Sequence, residues 1–121
     1  MKNISILFIL CLLSITSCVD TTNNRLIVGK WQGTQWLVNG TASTNNAAAT
    51  FFNFDTAGNY QFVYDGTTQK GTYKVDHNQL FTKANGAQEI MVLITKLTAD
   101  SLVFDMNRSG QSETLYLVKS K

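Results

Sequence analysis

Phe51-Phe52-Asn53-Phe54-Asp55-Thr56-Ala57-Gly58-Asn59-Tyr60-Gln61-Phe62-Val63-Tyr64-Asp65-Gly66 is the stretch that decides the fold class. Tyr60, Phe62 and Tyr64 recur at every second residue, the side-chain period of a strand with one buried face. Aromatic residues fit a pleated, half-buried surface, whereas Asp, Asn and Gly between the runs punctuate turns. Asp55 to Asn59 therefore reads as a turn between two strands, and Asp65-Gly66 as the next tight hairpin turn.

The same grammar extends in both directions. Upstream, Leu26 to Val38 and Ala47 to Phe54 read as the first and second strands. Asn59 to Tyr64 is the third. Downstream come Lys70 to Val75, Gln79 to Lys83, Gln88 to Leu97, Ser101 to Met106 and Glu113 to Val118. Asp76-His77-Asn78, Asn85-Gly86, Ala99-Asp100 and Ser109-Gly110 separate them. Connections this short join antiparallel neighbours, because a parallel crossover needs about a dozen residues. The one long connection, Asn39 to Asn46, is polar. The chain lacks proline, so no backbone N–H is lost to the ladders. The fold class is thus all-β, an eight-stranded antiparallel up-and-down barrel without substantial helix. Closure removes unpaired edges; the alternative is a flattened, partly open barrel or two packed sheets.

Ahead of the strands, Met1-Lys2-Asn3 is basic and Ile4 to Leu13 is nearly all apolar. That run suits a secretory h-region of ~7–15 residues and is short of the ~20 needed to span a bilayer. Leu13-Ser14-Ile15-Thr16-Ser17-Cys18 closes it. Ile15-Thr16-Ser17-Cys18 resembles the lipobox of bacterial lipoproteins, which implies cleavage before Cys18 and acylation of that cysteine. The competing reading is an ordinary secretory signal. The resulting organisation is a signal peptide over residues 1–17, a lipidated flexible tether over 18–25, and one domain over 26–121. Multiple acyl chains imply durable membrane attachment. Asp20 is the lone acid just after the cysteine, which does not support surface display, so the expected location is the periplasmic face of the outer membrane, with the cell surface as the alternative.

Composition then excludes several functions. With Lys2 removed in the signal, the domain is close to neutral and has no basic cluster, which argues against nucleic-acid binding. Cys11 falls in the signal and Cys18 carries lipid, so no disulfide is expected. His77, the sole histidine, sits in a turn and reads as solvated. No spacing of His, Asp or Glu suits a metal, and no glycine-rich loop precedes a helix. No enzyme activity, metal or cofactor is expected.

Gly29-Lys30-Trp31 at the start of the first strand looks like the Gly-X-Trp signature of lipocalins. Phe52-Asn53-Phe54-Asp55 with Gly58-Asn59-Tyr60, Lys70-Gly71-Thr72-Tyr73, and Leu97-Thr98-Ala99-Asp100-Ser101-Leu102 also resemble the small lipocalin-like domains of Bacteroidetes-type lipoproteins. The resemblance covers roughly Leu26 to Lys119. It implies that Trp31 plugs one end of the barrel, with Gly29 permitting a bend or close approach. The chain departs from the family in three ways. It ends at Lys119-Ser120-Lys121, where lipocalins continue into a helix. Neither Arg25 nor Arg108, which falls in a turn, matches the arginine often set across the plugging tryptophan. The barrel is also short.

Phe52, Phe54, Tyr60, Phe62, Tyr64, Tyr73 and Phe104 are expected to face inward. They either line a pocket for a small hydrophobic ligand or fill the interior. Met91, Leu93, Val103, Tyr116 and Val118 fall on the outward phase and would form an exterior apolar patch. That patch is either a surface for an envelope protein partner or is covered by the tether or by long polar side chains. Two functions are compatible with these features: a lipid-anchored ligand-binding module, and a non-enzymatic interaction lipoprotein with a filled barrel.

Overall fold

The computed structural model describes residues 22–120. The expected signal peptide, Cys18 and the start of the expected tether lie outside the described residues. A short helix, α1 (Thr22–Ile27), leads into β1 (Gly29–Val38), a two-residue strand β2 (Thr41–Ala42) and a 3-10 turn, Ala47–Ala49. Then come β3 (Thr50–Phe54), β4 (Asn59–Tyr64), β5 (Thr67–Asp76), β6 (Gln79–Ala84), β7 (Glu89–Leu97), β8 (Ser101–Arg108) and β9 (Gln111–Lys119). Each long strand pairs antiparallel with the next, and β1 pairs with both β3 and β9. Eight strands therefore close into a barrel, with β2 an appendage folded back on β1.

The expected architecture stands, with local corrections. Leu26 and Ile27 end a helix and do not begin a strand, because the fully buried Ile27 docks against one end of the barrel. Part of the expected tether is thus ordered: Asn23 Nδ2 donates to the His77 carbonyl at 2.6 Å. Ala47 to Ala49 form a helical turn packed against β1. Gly33 makes this possible, since a Cβ there would lie 2.3 Å from the Ala47 carbonyl oxygen. Arg108 is the last residue of β8, not a turn residue.

Two irregularities set the interior. Trp31 and Trp36 are an odd number of residues apart, so regular alternation would send them to opposite faces. The register shift between Gly33 and Gln35 inserts one residue, and both indoles are buried. A second shift, between Ile94 and Lys96, likewise turns both Ile94 and Leu97 onto the core.

One end of the barrel is sealed. Trp31 is fully buried there, and its indole N–H donates to the Ile27 carbonyl at 2.8 Å. The Lys119 ammonium lies 4.5 Å from the centre of the Trp31 ring and donates to the Val28 carbonyl at 2.9 Å. Gly29, at φ 131°, makes room for it: a Cβ would come within 2.9 Å of Lys119 Nζ. The cation across the tryptophan is therefore Lys119, supplied by the last strand, and neither arginine fills that place.

Candidate functional site

The opposite end is open. A cavity of about 430 Å³ enters the barrel between the ends of β1, β4, β6 and β8 and the beginnings of β3, β5, β7 and β9. Phe52, Phe62, Leu80, Val92, Phe104 and Leu115 make most of its wall, and Trp36 and Met106 complete it. These residues share the inward phase of their strands, as the pairings Phe52 with Phe62, Leu80 with Val92, and Phe104 with Leu115 show. Ile90 and Met91 stand at the rim. Ile90 is on the inner face yet 59% exposed, because β7 begins at the mouth and none of the described residues covers it.

Polar groups enter this wall in two places. On one side Tyr60, Gln69 and Thr82 adjoin, and the Tyr60 hydroxyl donates to Gln69 Oε1 at 3.2 Å. Burial pushes the Tyr60 hydroxyl above its ordinary pKa of 10.0, opposed by a hydrogen bond with Thr82. It is thus a neutral donor at physiological pH. On the other side are Asn107 and Arg108. Behind Arg108 lies Glu113, only 4% exposed, whose Oε1 accepts the Trp36 indole N–H at 2.8 Å. The Arg108 guanidinium approaches the same oxygen to 3.6 Å while its side chain stays 62% exposed. A buried carboxylate needs such partners, because leaving one unpaired is costly.

The seven expected aromatics all pack on the core, but they divide into three groups. Phe52, Tyr60, Phe62 and Phe104 line the cavity. Phe54 and Tyr73 pack edge-to-face toward the sealed end, 4.9 Å between ring centres. The Tyr73 hydroxyl donates to the Asp55 carbonyl at 2.6 Å, so it ties down the β3–β4 turn and does not face the cavity. Tyr64 stacks edge-on against Trp36 at 5.5 Å, outside the cavity wall. The interior is therefore filled in its sealed half and open in the other.

The exterior patch is corrected on two counts. Val103 is buried, 8% exposed, because β8 lies between β7 and β9 and Val103 sits in register between Lys96 and Tyr116. Met91 and Leu93 on β7 and Tyr116 and Val118 on β9 are exposed, on strands that β8 separates. Asp105, opposite both Leu93 and Thr114, interrupts the surface and accepts a hydrogen bond from the Thr114 hydroxyl at 3.0 Å.

Two residues at the mouth are absent from the expected site: Arg108, expected in a turn, and Glu113. The signal was parity. Arg108 continues the inward series Leu102, Phe104, Met106, and Glu113 opens the inward series Leu115, Leu117. Other surface hollows exist, including one of about 440 Å³ bordered by Asn53, Gln61, Lys70 and Asn85, but its polar walls suit water. His77 is exposed and pairs with the adjacent Asp76, Nδ1 to Oδ1 2.7 Å. Among the described residues no three His, Cys, Asp or Glu side chains gather as a metal site, and no helix is long and apolar enough to cross a membrane.

Residues 27–104 match the family model of the lipocalin-like domain. Among solved structures, a lipocalin-like protein from Bacteroides uniformis superposes with a TM-score of 0.61 at 19% identity, covering 77% of this chain and 97% of that one. An uncharacterized protein from Bacteroides eggerthii gives the same TM-score at 15% identity, covering 77% of this chain and 98% of that one. No curated protein matches the sequence.

Proposed function

The chain belongs to the lipocalin-like domain family, and on that premise we propose that it is a non-enzymatic binding protein that holds a small hydrophobic molecule in the open half of its barrel. The observation that carries this reading is the cavity itself, about 430 Å³ with a mainly aromatic and aliphatic wall. Small-molecule sites are commonly ~300–1,000 Å³, mostly apolar, with a few placed polar groups. Ile15-Thr16-Ser17-Cys18 supports acylation at Cys18 and residence on the bacterial outer membrane, with the domain facing the periplasm.

Trp36 borders the cavity and reports on its contents. Titration with the neutral apolar probe N-phenyl-1-naphthylamine should quench its emission saturably. Val92→Trp, which fills the wall from within, should abolish that binding while the thermal midpoint is retained. Non-saturable quenching, or equal binding by the filled variant, would count against the reading. For the anchor, Cys18→Ala should move the protein from the membrane fraction to the soluble one and remove palmitate labelling.

A further inference from the structure

Resting on the ligand-binding reading, we infer that the cavity selects amphipathic anions: an apolar tail buried in the barrel and a carboxylate-type head held at the mouth by Arg108. The size follows from volume. At roughly 30 Å³ per small group at liquid density, a cavity of about 430 Å³ accommodates a tail of roughly ten to fifteen heavy atoms.

The sign of the head group follows from which charged atoms face the cavity. Arg108 is part of its wall, on the inward phase of β8 at the rim, and its guanidinium is largely exposed. Its one ion-pair contact among the described residues, to Glu113 Oε1, is 3.6 Å long, beyond hydrogen-bond length. A guanidinium carries five N–H donors in a planar fork that matches a carboxylate. Donors therefore remain for an incoming anion. Glu113 is buried behind the wall, and the oxygen facing Arg108 already accepts the Trp36 indole N–H. A cationic head would have to pass Arg108 to reach it. Asn107 adjoins at the mouth and can add a further amide donor.

The test compares three ligands with the same ten-carbon tail: decanoate, decanol and decyltrimethylammonium, titrated at low salt with Trp36 emission as the readout. Decanoate should bind roughly 10- to 100-fold tighter than decanol, the range expected for one charged hydrogen-bonded contact. The preference should shrink with added salt, since the rim is exposed. In Arg108→Gln combined with Glu113→Gln, which leaves no buried carboxylate unpaired, the ratio of decanoate to decanol affinity should fall to about one. Equal binding of decanoate and decanol by the unaltered protein overturns the inference while leaving the cavity reading intact, and needs no variant to fold. Tightest binding of the ammonium overturns it in favour of Glu113. Retention of the anion preference by the double variant overturns it too. Failure of all three ligands, together with failure of the neutral naphthylamine probe, removes the ligand-binding reading and this inference with it.

Discussion

Trp31 ties α1 and the end of the last strand into the sealed end of the barrel. Its ring fills the end, its N–H satisfies the last carbonyl of α1, and the Lys119 ammonium lies over its face. Large-to-small changes of buried aromatics cost about 3–5 kcal/mol. Trp31→Ala should lose stability of that order in urea denaturation; a loss under about 1 kcal/mol would exclude a buried plug. Gly29→Ala should be harmful for a separate reason, a side chain at positive φ colliding with Lys119. We expect it to cost roughly 1–3 kcal/mol, and Lys119→Ala in the same chain should relieve part of it. The Gly-X-Trp tripeptide was legible because its position in the first strand singled it out. Its cation was not, since Lys119 lies across the closure of the barrel, a pairing that only the finished sheet brings about.

At the scale of elements, the strands were readable because alternation and turn chemistry agreed along most of the chain. The bulges were not. Each adds one residue to a ladder, leaving no compositional mark, yet each flips the phase of the residues beyond it and so decides whether Trp36 and Leu97 face the core. α1 was also missed: a six-residue helix is too short to be stable from its own propensity and rests on docking of Ile27. The β3–β4 turn carries a pH dependence. Asp55 Oδ1 accepts the Asn59 and Ala57 N–H groups at 2.8 and 2.9 Å, and these bonds, Asn59's foremost, hold its carboxyl below the ordinary 3.8. A depressed acid favours the folded state above its unfolded pKa, and that contribution disappears as pH falls through the lower folded value. Asp55→Asn should therefore flatten the acid limb of the stability curve below about pH 4. Tyr60 and Tyr73 act in the opposite direction. Burial raises both above 10.0, and for Tyr73 the Asp55 charge adds to it. Their contribution is intact below pH 10 and is lost as pH climbs through the higher folded values. Tyr73→Phe should show a shallower alkaline limb in thermal melts; an unchanged slope would contradict the buried environment.

For the molecule as a whole, the barrel and its closure followed from short turns and an even count of long strands. How far the interior is filled did not. Seven inward aromatics can close a small barrel or stop halfway, and the outcome depends on where each ring lies along the axis. Phe54 and Tyr73 lie toward the sealed end, whereas Phe52, Phe62 and Phe104 border open space. The asymmetry should appear in exchange experiments. Amides of β1 and β9 near Trp31 should be protected to the level of global unfolding, and those at the start of β7, around Ile90, should exchange by local opening.

The seating of α1 over the sealed end gives the barrel a direction relative to whatever holds its leader. Cys18 precedes Thr22 by four residues, a reach of at most ~14 Å at ~3.6 Å per residue. Acyl chains on Cys18 would keep the floor of the barrel beside the bilayer and turn the entrance outward, most of a strand length away. On the proposed reading, a ligand would then enter from the aqueous compartment and not from the leaflet beside the floor. Fluorophores at Asn78, on the floor, and at Ser109, beside the entrance, should differ in quenching by headgroup-labelled lipid, with Asn78 the more strongly quenched. Equal quenching would mean the barrel lies on its side.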